Sequence, residues 1–140
     1  IIERVSRPLG AETSSGENPV DRRYEALKQL GEIQSALAAN PNLNVRTKGV
    51  AACRAAIAFM QAWPSNAEPP EIEVDEDGAI FLERYEDAGT LRALFVFTRS
   101  DRAAVSLYCQ GAVFHRDTVD IDKPIDRRRI FDKLLEMADE

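Results

Sequence analysis

The chain has one histidine, one tryptophan, two cysteines and no excess of basic residues. Each shortage narrows what it can do. With His115 the sole imidazole, every Ser/His/Asp or Cys/His nucleophile scheme would have to pass through that one residue. Cys53 and Cys109 form neither a C-x-x-C pair nor a paired-ligand spacing. They read as reduced packing residues, because a free cysteine behaves as a small buried hydrophobe, and reduced thiols point to the cytoplasm. No apolar run approaches the roughly 20 residues that cross a bilayer, so a soluble protein with no membrane association is expected. Lys and Arg number 18 against 24 Asp and Glu, a net charge of −6. Such a chain is repelled by phosphate backbones, and direct nucleic-acid binding would need a segregated basic patch. The only basic triplet, Arg127-Arg128-Arg129, lies between Asp126 and Asp132 and reads as a solvated helix face. The chain begins at Ile1 with no basic start, apolar centre and small-residue cleavage site, so a trimmed chain or part of a longer protein is the expectation.

What remains is an ordinary globular composition, 44% hydrophobic and 30% charged over 140 residues, which suits a single domain with one core. Residues 1 to 17 hold Pro8, Gly10, Ser14, Ser15 and Gly16 with few apolar groups after Val5, and read as a flexible arm. Residues 18 to 140 read as one domain. Asn18-Pro19 signals a helix start, and Tyr24, Leu27, Leu30, Ile33 and Leu37 make one apolar stripe that ends near Asn40-Pro41. A loop through Leu43 and Val45 leads to Thr47 as cap of a second, mostly buried helix from about Lys48 to Trp63, stopped by Pro64.

From Glu71 onward the period changes to two. Ile72 and Val74 oppose Glu71 and Glu73; Asp77-Gly78 suits a turn with a left-handed glycine; Ile80 and Leu82 oppose Phe81 and Tyr85. A third strand sets Leu91, Ala93, Phe95 and Phe97 against Arg92, Leu94 and Val96, so apolar residues occupy both faces. Such a strand is covered on both sides or offers its second face to a partner. A fourth strand carries Val105, Leu107 and Cys109, Gln110-Gly111 turns into a fifth through Val113, and a last helix follows Pro124. The fold class is α+β: an antiparallel four- to five-stranded meander with two N-terminal helices and one C-terminal helix packed on it.

Charge is unevenly spread. Residues 1 to 70 hold eight basic and seven acidic residues, a net of +1, whereas residues 71 to 140 hold ten and 17, a net of −7. The densest part has Glu71, Glu73, Asp75, Glu76, Asp77, Glu83, Glu86 and Asp87 around a single Arg84. These eight are the candidate partner-binding residues.

Three motif-like strings have plainer readings. His115-Arg116-Asp117 spells the kinase catalytic triplet, but Asp122 stands where an Asn is needed and no glycine-rich loop exists; a strand histidine is expected. Glu73-x-Asp75-x-Asp77-Gly78 imitates a calcium loop whose twelfth position, a bidentate Glu in true sites, is Arg84 here, so a hairpin is preferred. Asp117, Asp120, Asp122 and Asp126 could gather at the start of the last helix, where capping by Asp122 is preferred to cation binding. No residue set has the spacing of a catalytic or cofactor motif, so no catalytic residue, cofactor or metal is assigned.

The segment Pro69-Pro70-x-Ile72-x-Val74-x-x-Asp77-Gly78-x-Ile80-x-Leu82-Glu83-x-Tyr85, after an Ala-rich helix ending in Phe59 and Pro64, resembles small uncharacterised bacterial proteins with helices, a β-meander and a final helix. It differs from them in placing Arg84 where Trp follows the Leu-Glu pair. Such proteins are often encoded near mobile or toxin-antitoxin-like elements, and the resemblance implies no site residues. The leading expectation is a non-enzymatic, acidic protein-protein interaction module, antitoxin-, immunity- or regulator-like, that binds a basic partner. The alternative is a small hydrolase or ligand-binding domain with a pocket between helices and sheet, using His115, Cys109 or Glu83.

Overall fold

The computed structural model describes residues 21–65, 67–85, 89–99, 101–109 and 111–138. The expected flexible arm and the Asn18-Pro19 helix start lie outside them. Helices α1 (Tyr24–Ala38) and α2 (Leu43–Gln61) are followed by strands β1 (Glu71–Val74), β2 (Ile80–Tyr85), β3 (Leu91–Phe97), β4 (Arg102–Cys109) and β5 (Ala112–Asp120), and then by α3 (Pro124–Ala138). The five strands pair antiparallel in chain order, which makes the α+β meander that the alternating pattern predicts.

All three helices serve one face of the sheet. The registers align Ile80 with Phe97, Ala103 and Val119, and Leu82 with Phe95 and Val105, and these side chains are all buried. Phe59 of α2 sits at the centre of the aromatic part of this core, with ring centroids 4.9 Å from Phe95, 5.5 Å from Phe97 and 5.0 Å from Phe131. Trp63 closes the cluster edge-on against Phe95 and Phe131, at 5.8 and 5.7 Å. One cluster therefore joins α2, β3 and α3.

The start of α2 differs from the sequence reading, and α1 follows a turn at Asp21. The described part of α1 begins at Tyr24, after a turn in which Asp21 accepts hydrogen bonds from the backbone N–H and guanidinium of Arg23. Those bonds hold the Asp21 carboxyl down at about 2. Tyr24 itself is 64% exposed rather than part of the buried stripe, because a first-turn side chain leans back toward the N-terminus and past the packed surface. Ala26, Leu30 and Leu37 are the buried face. Helix α2 starts five residues earlier than Thr47 suggests: Asn42 is the cap, its side-chain oxygen accepting the Val45 N–H at 3.1 Å, and Leu43 and Val45 are helical.

The β1–β2 turn is tied twice. The Asp75 carboxylate accepts from the N–H groups of Asp77 and Ala79, each at 2.9 Å, and Gly78 adopts φ 90°. Gly78 is also buried against α2, where a Cβ on it would lie 2.9 Å from the Cα of Gly49 and 3.0 Å from the Val45 carbonyl oxygen. Two glycines face to face thus let the hairpin tip touch the helix backbone.

At the other end of the sheet, Arg128 and Arg129 of the arginine triplet are exposed as expected, while Arg127 is half-buried, and both Arg127 and Arg129 make contacts within the fold. The Arg127 guanidinium donates to the Ile121 carbonyl, and Arg129 pairs with Asp117 at 2.8 Å and with Asp126 at 3.9 Å. Among the described residues no hydrogen bond to the Asp122 side chain is seen; the Asp126 carboxylate accepts the Asp120 N–H at 3.1 Å and ties the helix to the end of β5. Asp117 and Asp126 pair with Arg129 and Asp120 with Lys123, and among the described residues no group of His, Cys, Asp or Glu could hold a metal ion.

Candidate functional site

The face of the sheet away from the helices is the largest feature that the core does not explain. Alternation along each strand carries Glu71 and Glu73 of β1, Phe81 and Glu83 of β2, Leu94 and Val96 of β3, and Ala104 and Ser106 of β4 onto this side. Phe81, Leu94 and Val96 are half-buried, in contrast to the wholly buried apolar residues that alternate with them. Their two-faced pattern predicts either a second cover or a partner. Among the described residues no helix packs on this face.

The acidic margin is built from β1 and β2. Glu71 lies directly across from Glu83, and Glu73 across from Phe81. Like charges opposed across a strand pair destabilise it, so this margin is maintained against a local cost. Tyr85 softens that repulsion by donating its hydroxyl to Glu83 at 3.1 Å. Burial pushes the Tyr85 phenol above its ordinary range, with the Glu83 bond and the charges of Glu71 and Glu73 acting in the same direction. Glu73, Val74, Asp75, Phe81 and Glu83 line a shallow open depression of about 230 Å³, a phenyl floor rimmed by carboxylates. That combination suits a guanidinium or ammonium group, which gains from carboxylates and from an aromatic face together.

Six of the eight candidate residues are described, and they divide between the open face and the hairpin tip. Glu71, Glu73 and Glu83 share the open face. Asp75 accepts the N–H groups of its own turn and also lines the depression beside Glu73 and Glu83, and Glu76 and Asp77 are exposed at a hairpin tip that leans on α2. Glu86 and Asp87 lie outside the described residues. Arg84, the lone cation of the run, pairs with core-facing Ala93, donates to the Tyr85 carbonyl at 2.6 Å and stands 3.9 Å from Glu68, so it does not neutralise the open-face carboxylates. Sequence reasoning missed Arg116, which the register places in the row of Glu71 and Glu83 through Leu94 and Ser106.

The residues proposed for a pocket between helices and sheet are dispersed. Glu83 is on the open face of β2; His115 aligns with buried Leu107 and Ala93 on the core side of β5, three strands farther on. His115 Nε2 is buried, lies 3.7 Å from an Asp117 oxygen and makes no hydrogen bond among the described residues. Cys109 is exposed at the end of β4, and no hydrogen bond joins it to His115 or Glu83 among the described residues. The thiols differ in environment: Cys53 is buried, its Sγ donates to the Leu30 carbonyl at 3.1 Å, and burial pushes it up to about 11. An aromatic disulfide reagent at neutral pH is therefore expected to modify one thiol per native chain rapidly and the second only in denaturant. Two fast thiols would mean that α1 and α2 open readily around Cys53.

No helix among the described residues is long and apolar enough to cross a membrane. Comparison with protein-family models, with curated proteins and with solved structures finds no match to this chain.

Proposed function

We propose that this chain is a non-enzymatic protein-protein interaction module that docks a basic partner on the open face of its sheet. The observation that carries this reading is the half-buried apolar strip Phe81, Leu94 and Val96 bordered by Glu71, Glu73 and Glu83. An apolar centre with a charged rim is the anatomy of a protein interface, in which the centre supplies affinity and the rim supplies rate and selectivity. The role fits an antitoxin-, immunity- or regulator-like protein, which acts by occupying another protein. A cytoplasmic setting fits the two free thiols. Direct nucleic-acid binding is disfavoured by the net charge of −6 and by the engagement of Arg127 and Arg129 within the fold.

Capture from the chain's own cells tests the reading. The triple variant Glu71→Lys, Glu73→Lys and Glu83→Lys is compared with Glu76→Lys and Asp77→Lys at the hairpin tip. The open-face variant is expected to lose its bound protein by about tenfold or more, and the tip variant to keep it. Capture by the native chain should also fall as salt is raised. Equal retention by both variants, indifferent to salt, sinks the proposal.

A further inference from the structure

The open face changes sign across its width. One row runs Glu71, Glu83, Leu94, Ser106 and Arg116 from β1 to β5, and the next runs Glu73, Phe81, Val96, Ala104 and Thr118. Glu71, Glu73 and Arg116 are exposed and carry no ion pair among the described residues. Each row thus passes from carboxylates through apolar side chains to a cation or a hydroxyl.

Two sheets packed face to face lie about 10 Å apart with their strands near alignment. Symmetry offers two simple arrangements for a pair of identical faces. A two-fold axis across the strands sets β1 over β1, so Glu71 and Glu73 of one copy meet the same carboxylates of the other. A two-fold axis along the strands keeps each row facing itself but reverses strand order, so β1 lies over β5 and β2 over β4. Glu71 then faces Arg116 of the second copy at both margins, and Glu83 faces Ser106. Phe81 covers the small, exposed Ala104, while Leu94 and Val96 meet their own counterparts near the axis. The first arrangement opposes carboxylates at its margin, whereas the second sets Glu71 on Arg116 and places Glu83 and Glu73 opposite the hydroxyls of Ser106 and Thr118, and on that contrast the charge pattern favours the second.

We infer that the occupant of the open face is a second copy of this chain, in an isologous dimer whose two-fold axis runs along the strands. The inference rests on the open face being an interaction surface; the second copy is acidic as a whole, with a net charge of −6, and Arg116 is the cation it brings to the acidic margin.

Sedimentation equilibrium of the full chain across the micromolar range is expected to show a monomer–dimer equilibrium. Glu71→Arg and Arg116→Glu should each weaken self-association by about tenfold or more, since each sets like charges together at both margins. An equimolar mixture of the two variants should recover native affinity, because in the mixed dimer both margins pair unlike charges. A merely structural effect of either substitution would not be repaired by mixing. Leu94→Arg should abolish the dimer by placing two cations at the axis, with circular dichroism unchanged. A native chain that stays monomeric, or a mixture that associates no better than its separate components, overturns the inference. If the monomeric chain still captures a different basic protein that the open-face lysine variant loses, only the second copy is rejected and the interaction face stands.

Discussion

Phe59→Ala should remove about 3–5 kcal/mol of folding stability, the usual cost of truncating a fully buried phenylalanine. Phe59 is wholly buried and its ring lies within 5.5 Å of Phe95, Phe97 and Phe131 alike, so the space it leaves is walled by α3 and the sheet. Neither wall can close it alone, because α3 is anchored to β5 by Arg127, Arg129 and Asp126. Against a typical stability of roughly 5–15 kcal/mol, such a loss leaves a marginal protein. Urea unfolding followed by fluorescence of Trp63, the single tryptophan and a buried one, gives the measurement directly. Phe59→Leu fills more of the space and should cost less than half as much. A loss below about 1 kcal/mol for the alanine variant would mean that α2 does not sit on the sheet as described.

Gly78→Ala should be the most damaging change that adds a single methyl group. The left-handed backbone at φ 90° already disfavours a side chain, and the new Cβ would meet backbone atoms, the Gly49 Cα at 2.9 Å and the Val45 oxygen at 3.0 Å. Flexible side chains yield to such contacts; a helix backbone does not. A cost of about 2–4 kcal/mol is expected from the conformational and steric terms together. Gly89 and Gly111 separate the two terms. They adopt φ 86° and 83°, yet nothing lies within 4 Å of a Cβ on either, so their alanine variants should lose only about 1 kcal/mol. Equal losses at all three positions in the same urea experiment would mean that the hairpin tip does not press on α2.

Much of this architecture is legible in the residues themselves. The switch to period two at Glu71, the Asp77-Gly78 turn and the paired apolar faces of β3 specify a meander because a strand buries only alternate residues. The helix starts are harder to read. Leu43 is 64% exposed, so the first turn of α2 lacks the apolar periodicity that marks a helix, and Asn42 and Thr47 are chemically equal as caps until the Val45 N–H is seen to choose Asn42. Alternation puts Glu71, Glu73 and Glu83 on one side, yet it cannot bring Arg116 to the same row. That placement depends on turn lengths and on a register shift between Leu107 and Tyr108, neither of which leaves a periodic trace. Nor does composition reveal that Asp75 has turned its charge onto its own backbone, or that Arg129 is held by Asp117.

The order of the sheet has a consequence for how the chain reaches this state. Every strand pairs with its neighbour in sequence, and α1 packs chiefly on α2, so most contacts close short loops. Short loops cost little entropy to close, and proteins rich in them cross their folding barrier faster than β-sandwiches of similar size. The exceptions include the packing of α1 against β1, the docking of α2 onto β2 and β3, and the sharing of Phe59 between β3 and α3. Those long-range contacts should form late, after a helical hairpin and a meander have each begun to assemble on their own, and Phe59 is the side chain on which the two halves meet.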